Sequence, residues 1–477
     1  MKHTKIVTTI GPATETEEMI EKLALSGMNV IRLNFSHNEH AWHKMIIDRA
    51  RKVSKKLGQS IGVLADMQGP RIRLEIVGDP ISFPRGAKIA VGYKENKSAV
   101  PDSVGMPAIF LDTPHILESL AIDHTLLIED GLIELRVIEV KEGYAVTEAQ
   151  TPGTIKNRKG VNLPDTSFHL PILSEKDKRD LAFVLSEGVD FVALSFVGSA
   201  QDLKDAKVEM RKTIPEPALL PLIVSKIERK EAIKNLDEIL RETDAVMVAR
   251  GDLGIEMPPC EVSILQKEIV EKSLHALCPV IVATQMMKSM TDNPRPTRAE
   301  VSDVTNAVVD HTDAVMLSEE SAAGKYPVEA VSTMKEIIVK TEESPYDDVL
   351  QAIHLNVQSE YITMIRSIFE LSRSFEVSAI VLLSVSGYTA KLMSHFRPGI
   401  DILVATPSQK TYNQCALLWG VKPYLFDEEA PLDGLVDQLI TDAKEDGTLI
   451  PGKRVAVFLG RTPERDFMKL VGVREIR

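Results

Sequence analysis

Apolar residues along this chain fall mostly in short unbroken runs separated by stretches of helical spacing. Lys5 to Ile10, Asn29 to Leu33 and Ser60 to Ala65 are such runs, with helical segments to Leu25 and Leu57 between them. A strand covered on one face alternates apolar and polar residues, whereas one covered on both reads as apolar throughout. The opening therefore predicts strand–helix–strand–helix–strand in a parallel sheet clothed by helices. Gly11-Pro12 turns the chain after the first strand, and Thr14-x-x-Glu17 has the spacing of a capping box for the first helix.

The texture changes between Arg71 and His169, where segments are short, alternating and closely punctuated by Gly and Pro. Ala87–Val91 and Thr125–Ile128 read as strands. Leu132–Val140 and Tyr144–Glu148 read as a hairpin around Glu142-Gly143. This predicts a small β-rich domain inserted into the α/β pattern, with Pro70 and Pro171 as hinge edges. The earlier rhythm then resumes, with Ser174-Glu175-Lys176-Asp177 opening a helix. Strands are predicted at Asp190–Phe196, Leu222–Lys226, Ala245–Ala249, Val280–Ala283 and Asp313–Leu317. The total is about eight strands, the number that closes a (β/α)8 TIM barrel. After Ser344-Pro345 come a helix at Tyr361–Arg373 and strands at Ala379–Leu383, Ile402–Ala405 and Val455–Leu459, an open α/β domain. The expected division is a barrel over 1–70 and 171–343, an inserted β lid over 71–170 and a C-terminal α/β domain over 344–477.

Polar residues stand at the C-terminal ends of most barrel strands: Arg32 and Asn34, Asp66, Ser195, Lys226 and Glu228, Asp252, Thr284, Ser318 and Glu320. In a parallel barrel these ends share the face on which active sites are built. Lys226 and Glu228 lie two residues apart on one strand, so they project to the same side. Glu228 and Asp252 offer oxygen ligands to a divalent cation such as Mg²⁺, or Mn²⁺. Arg32 and Lys226 are cations suited to a transferring phosphoryl group. The turn at Gly251-Asp252-Leu253-Gly254 presents N–H groups to a carboxylate, and the Thr284 hydroxyl can pass a proton. Together these suit a small phosphorylated carboxylic acid. Plainer readings stand beside this one: a surface ion pair for Lys226–Glu228 and a simple turn pair for Arg250–Asp252. A Schiff-base aldolase is the functional rival, and it needs a lysine of depressed pKa.

Composition narrows the field little. The chain has 477 residues, 44% hydrophobic and 26% charged, in the ordinary range for a globular protein of two to four domains. A net charge of −13 argues against a nucleic-acid partner held by phosphate neutralisation. Cys260, Cys278 and Cys415 fit no zinc spacing and suit a reducing compartment. No signal peptide or membrane span is expected, so the expected location is the cytoplasm.

Eight motifs in order are similar to those of the pyruvate kinase family: TKIVTTIGPAT, MNVIRLNFSH, GPRIR, KGVNLP, SKIE, MVARGDLGIE, ATQMMKSM and PRPTRAEVSDVTNAV. The resemblance spans nearly the whole chain. It implies a catalytic barrel, a mobile lid inserted after the third strand and a C-terminal regulatory domain, assembled as a homotetramer. It implies phosphoryl transfer from phosphoenolpyruvate to ADP, followed by protonation of the enolate to pyruvate. By this resemblance Glu228 and Asp252 bind the divalent metal, Lys226 and Arg32 serve the phosphoryl group and Thr284 serves protonation. Ala249, Gly251 and Asp252 hold the carboxylate. Asn34, Ser36 and Asp66 match monovalent-cation ligands, and Asn34, His37 and Lys159 match nucleotide contacts. The serine-rich turn of Ser384, Ser386 and Thr389, at a helix N-terminus, is an expected effector anion site.

Three departures from the family pattern modify these expectations. Arg71 stands where many members carry Glu, so a fixed cation replaces an acid beside the potassium site, and activity without K⁺ is expected. Glu319 adds a carboxylate near the barrel mouth. Gly460 to Asp466 lacks the usual glycine-rich end, and Glu464 and Asp466 would repel a second phosphate, so an effector with one phosphate or none is expected. The alternative to an enzyme is a catalytically weak member acting as a metabolite sensor, which would be marked by loss of a metal carboxylate or the lysine.

Overall fold

The computed structural model describes residues 2–100, 105–113, 115–166, 170–347, 360–427, 432–459 and 470–477. Eight parallel strands close into a barrel in sequential order: β1 (Lys5–Thr9), β2 (Val30–Asn34), β3 (Gly62–Asp66), β4 (Phe191–Leu194), β5 (Leu222–Ile227), β6 (Ala245–Ala249), β7 (Val280–Ala283) and β8 (Ala314–Leu317). The unbroken apolar runs are explained by burial on two sides. Val7, Val30, Leu64, Phe191, Val224, Met247, Ile281 and Met316 fill the barrel interior. Alternate residues such as Ile6, Ile31, Val63, Val192, Ile223 and Val246 face outward against the helices. Ala416 and Leu417, from the C-terminal α/β region, pack with the interior residues.

Between β3 and β4 the chain builds a seven-stranded sheet and a two-stranded ribbon with their own apolar cluster around Leu74, Val91, Leu126 and Leu135. The expected hairpin is present as Ile133–Lys141 paired antiparallel with Tyr144–Ala149. The C-terminal sheet has five strands rather than the expected three. The additions are edge strands, Val421–Leu425 and Leu470–Glu475. Pro423 interrupts the first as a sequence signal, and an edge is where a strand tolerates proline.

The first helix, Glu17–Ser26, is capped by Thr16, not Thr14, with the Thr16 hydroxyl accepting from Met19 N at 3.2 Å. Thr14 is fully buried and donates to the Ser321 carbonyl at 3.0 Å, tying the turn after β1 to the helix after β8. Ser174 caps its helix as the sequence predicts, in a reciprocal box with Asp177. Cys278 and Cys415 are buried, and burial raises both thiols to about 12; Cys260 is exposed. Among the described residues no helix is long and apolar enough to cross a membrane. Gly460 to Asp466 lies outside the described residues.

Candidate active site

At the C-terminal ends of the strands is a solvent-open cleft of about 560 Å³, lined by Arg32, Asn34, Ser36, His37, Asp66, Arg71, Ser195, Phe196, Lys226, Glu228 and Asp252 among others. The barrel thus gathers the predicted strand-end residues of β2, β3, β4 and β5 and Asp252 of the helix Arg250–Glu256 that directly follows β6; Thr284, Ser318 and Glu320 are not part of this lining.

Lys226 is the hub. Its Nζ lies 2.8 Å from Glu228 Oε1 and 3.3 Å from Asp66 Oδ1, and it donates to Ser195 Oγ at 2.8 Å. Ser195 Oγ in turn donates to the Met67 carbonyl at 2.8 Å, which fixes its orientation. Burial by itself lowers the pKa of the lysine. The carboxylates of Asp66, Glu228 and Asp252 outweigh that effect and hold its pKa above the ordinary lysine range. A permanently charged lysine is the opposite of what a Schiff-base aldolase requires. The surface ion-pair reading fails too, because Glu228 is only 2% exposed.

Arg32 is anchored from two sides. Its Nε and Nη2 each meet Asp66 Oδ2 at 2.7 Å, and its Nη1 donates to Thr9 Oγ1 at 3.1 Å. Burial works to raise Asp66, but Lys226 and Arg32 prevail and hold its carboxyl below the usual range. Among the described residues Asp66 Oδ1 meets Lys226 as an ion pair and has no other partner. Asn34 Oδ1 accepts from Ser36 N at 3.0 Å, a local bond that fixes the turn at the end of β2.

Glu228 behaves differently. Burial pushes its carboxyl up to about 7 against the pull of Lys226, and the Asp252 charge adds to the rise. Its Oε2 accepts from Phe196 N at 2.8 Å, and Phe196 holds a left-handed φ of 61° to make that bond. A buried carboxylate and a half-buried one lining the same cleft repel each other when alone and suit a dication held between them. Among the described residues no group of three or more His, Cys, Asp or Glu forms a ready-made metal cage. A pair of carboxylates fits a cation that fills its remaining positions with water and substrate oxygens.

Arg71 reaches Asp252 from the inserted domain, its Nη2 lying 4.0 Å from Asp252 Oδ1 and 3.7 Å from Asp130 Oδ1. Arg250 does not pair with Asp252; its Nη1 meets Asp303 Oδ1 at 2.7 Å, so the turn-pair reading is wrong. Gly251 N, in the first turn of the helix Arg250–Glu256, donates to Thr284 Oγ1 at 2.8 Å, which brings the residues expected to hold a carboxylate next to the expected proton donor. Lys159 lies apart from the cleft lining, paired with Glu129 at 2.5 Å. Glu319 turns outward to Lys288, which accounts for an acid at that position without loading the cleft. Ser384 and Ser386 lie in the turn after the strand Ala379–Leu383, and Thr389 lies in the first turn of the helix Tyr388–His395 that follows; Ser384 and Thr389 are buried and Ser386 is exposed. Sequence reasoning assigns Ser195 nothing beyond a polar end on an apolar strand, reads Arg250 only as a turn partner of Asp252, and passes over Thr9.

The family model described as "Pyruvate kinase, barrel domain" matches residues 1–331, and that described as "Pyruvate kinase, alpha/beta domain" matches residues 363–471. Curated pyruvate kinases of Staphylococcus epidermidis and Staphylococcus aureus (strain MRSA252) are 42% and 41% identical over 466 residues, covering 96% of this chain and 78% of each relative. A crystal structure of a pyruvate kinase from Cryptosporidium parvum superposes with a TM-score of 0.93 at 31% identity, covering 100% of this chain and 96% of that one. The barrel, its mouth and these likenesses agree: the chain belongs to the pyruvate kinase family, enzymes that turn phosphoenolpyruvate and ADP into pyruvate and ATP.

Proposed function

We propose that the barrel mouth carries out both halves of this reaction with the residues named above. The observation that carries the reading is Lys226, held charged between Asp66, Glu228 and Ser195 with Arg32 alongside. In the first half the bond from phosphorus to the enol oxygen breaks, and a bond forms to the terminal phosphate oxygen of ADP. Arg32 and Lys226 bind the phosphoryl oxygens and stabilise charge that shifts onto the enol oxygen. In the second half C3 of the enolate takes a proton through Thr284, directly or through water, giving pyruvate. Glu228 and Asp252 would hold Mg²⁺ or Mn²⁺, which would neutralise phosphoryl and carboxylate oxygens. Ala249, Gly251 and Asp252 receive the substrate carboxylate, and Asn34, His37 and Lys159 serve the nucleotide.

The reading extends to three finer points. The chain divides at 70, 170 and 343 into barrel, lid and regulatory domain, and works as a cytoplasmic homotetramer. Arg71 supplies the charge that K⁺ would bring to Asn34, Ser36 and Asp66, so turnover does not need K⁺; its position 4.0 Å from Asp252 supports this. An effector with a single phosphate, or none, binds at Ser384, Ser386 and Thr389. The test is pyruvate formation from phosphoenolpyruvate and ADP with Mg²⁺ and K⁺ omitted in turn, in a tetramethylammonium buffer. Loss of activity without Mg²⁺ and its retention without K⁺ are expected, and Arg71→Glu should install a K⁺ requirement. Strict K⁺ dependence of the parent enzyme would refute the Arg71 assignment. Activation by micromolar fructose 1,6-bisphosphate would refute the effector assignment.

A further inference from the structure

We infer that Arg250 is a positioning residue for the protonation half of the reaction, clamping Thr284 in a backbone conformation that threonine seldom adopts. The inference rests on the assignment of Thr284 to that half. Thr284 has φ 68° and Gln285 φ 55°, two successive non-glycine residues in the left-handed region. A β-branched residue is an outlier there, and such a conformation persists only where its surroundings over-determine it.

Arg250 supplies that determination. Its Nη2 donates to the Thr284 carbonyl at 2.6 Å and its Nε to the Ala283 carbonyl at 3.2 Å. Its Nη1 donates to Asp303 Oδ1 at 2.7 Å and to Gln266 Oε1 at 3.3 Å. One planar fork therefore ties two successive carbonyls at the end of β7 to two side chains on the surrounding helices, Pro259–His275 and Arg298–Val309. A lysine cannot reproduce this, because it has a single nitrogen and no rigid fork. The result is felt at the hydroxyl. Thr284 Oγ1 accepts from Gly251 N at 2.8 Å, and among the described residues it donates to nothing. With one lone pair engaged, its own O–H is left to face a reactant.

The step it positions is balanced as follows. The C2=C3 electron pair of the enolate takes a proton from Thr284 Oγ, or from a water it orients. A C3–H bond forms, the C2–O bond becomes a carbonyl, and solvent restores the donor proton. Arg250 makes no contact with Arg32, Lys226 or Glu228 among the described interactions, so its loss should fall on proton transfer more than on substrate binding.

The experiment is exchange of the pyruvate methyl protons with D₂O, followed by NMR with Mg²⁺ and ATP present, beside the KM for phosphoenolpyruvate. Arg250→Met is expected to slow exchange on the order of 100-fold, the cost of a misplacement of about 1 Å, with KM near that of the parent. Asp303→Asn keeps the guanidinium but removes its charged partner, and is expected to slow exchange less. Guanidinium added to Arg250→Ala is expected to restore part of the rate, which repair of a general folding defect would not do. Parent-rate exchange in folded Arg250→Met overturns the inference, and parent-rate exchange in Asp303→Asn does so if Arg250→Met does not fold. Thr284→Val separates the two claims. Parent-rate exchange there removes the role of Thr284 and the inference with it. Slow exchange there with parent-rate exchange in Arg250→Met removes the inference alone.

Discussion

Replacing Glu228 by glutamine should stabilise the metal-free protein while abolishing its activity. The carboxyl is buried, and its pKa rises from the ordinary 4.5 to about 7 in the fold. Folding therefore favours the protonated form. Relative to a neutral side chain, the favourable contribution is complete below pH 4.5 and is lost as pH rises through 7. At about 1.4 kcal/mol for each pH unit across that gap, the ionised carboxylate costs the metal-free fold about 3 kcal/mol at pH 8. Glutamine keeps the shape and the acceptor for Phe196 N, and Lys226 retains Asp66 and Ser195. The assay is thermal unfolding of parent and Glu228→Gln in EDTA at pH 5 and pH 8, beside turnover in Mg²⁺. A gain in the variant that is large at pH 8, small at pH 5 and abolished by adding Mg²⁺ to the parent is expected. A variant less stable than the parent at pH 8, or a difference independent of pH, would refute the reasoning. Such an outcome would mean that Lys226 fully offsets the burial of Glu228.

Two further predictions concern the scaffold. His43 is buried against Phe35, with ring centroids 3.9 Å apart, and among the described residues its Nδ1 has no partner; burial lowers its pKa to about 4. The neutral ring stabilises the fold above pH 6.5, and this contribution is lost as pH falls through 4. Stability should therefore drop by up to about 1.4 kcal/mol per pH unit over that window, with a shallower slope in His43→Gln; equal slopes would contradict it. A Cβ on Gly324 would lie 2.3 Å from the Glu320 carbonyl oxygen, which is backbone and cannot swing aside. Gly324→Ala should cost about 1–3 kcal/mol, and an unchanged melting temperature would show that the loop has slack.

The barrel was legible because its signal is local. Ala245–Ala249 is buried at every position, and a strand clothed on both faces has to read as an apolar run. The clustering of Arg32, Asp66, Lys226 and Glu228 at the barrel mouth was legible for the same reason, since charge that interrupts such a run marks the strand end. What could not be read depends on distant partners. Thr14 and Thr16 are equivalent as local caps, and only contact with Ser321, far along the chain, takes Thr14 away. The partner of Arg250 is Asp303 on another helix, and no glycine announces the left-handed turn at Thr284. The extra acid at Glu319 was puzzling because a sequence does not say which way a side chain turns; here it faces Lys288.

The most direct test of the catalytic assignment is single-turnover phosphoryl transfer from phosphoenolpyruvate to ADP by Lys226→Met, with folding checked by circular dichroism. If Lys226 carries the charge of the transferring group, the rate falls by ~10³-fold or more while Mg²⁺ still binds. A folded variant that transfers phosphoryl at a rate close to the parent's would contradict the account.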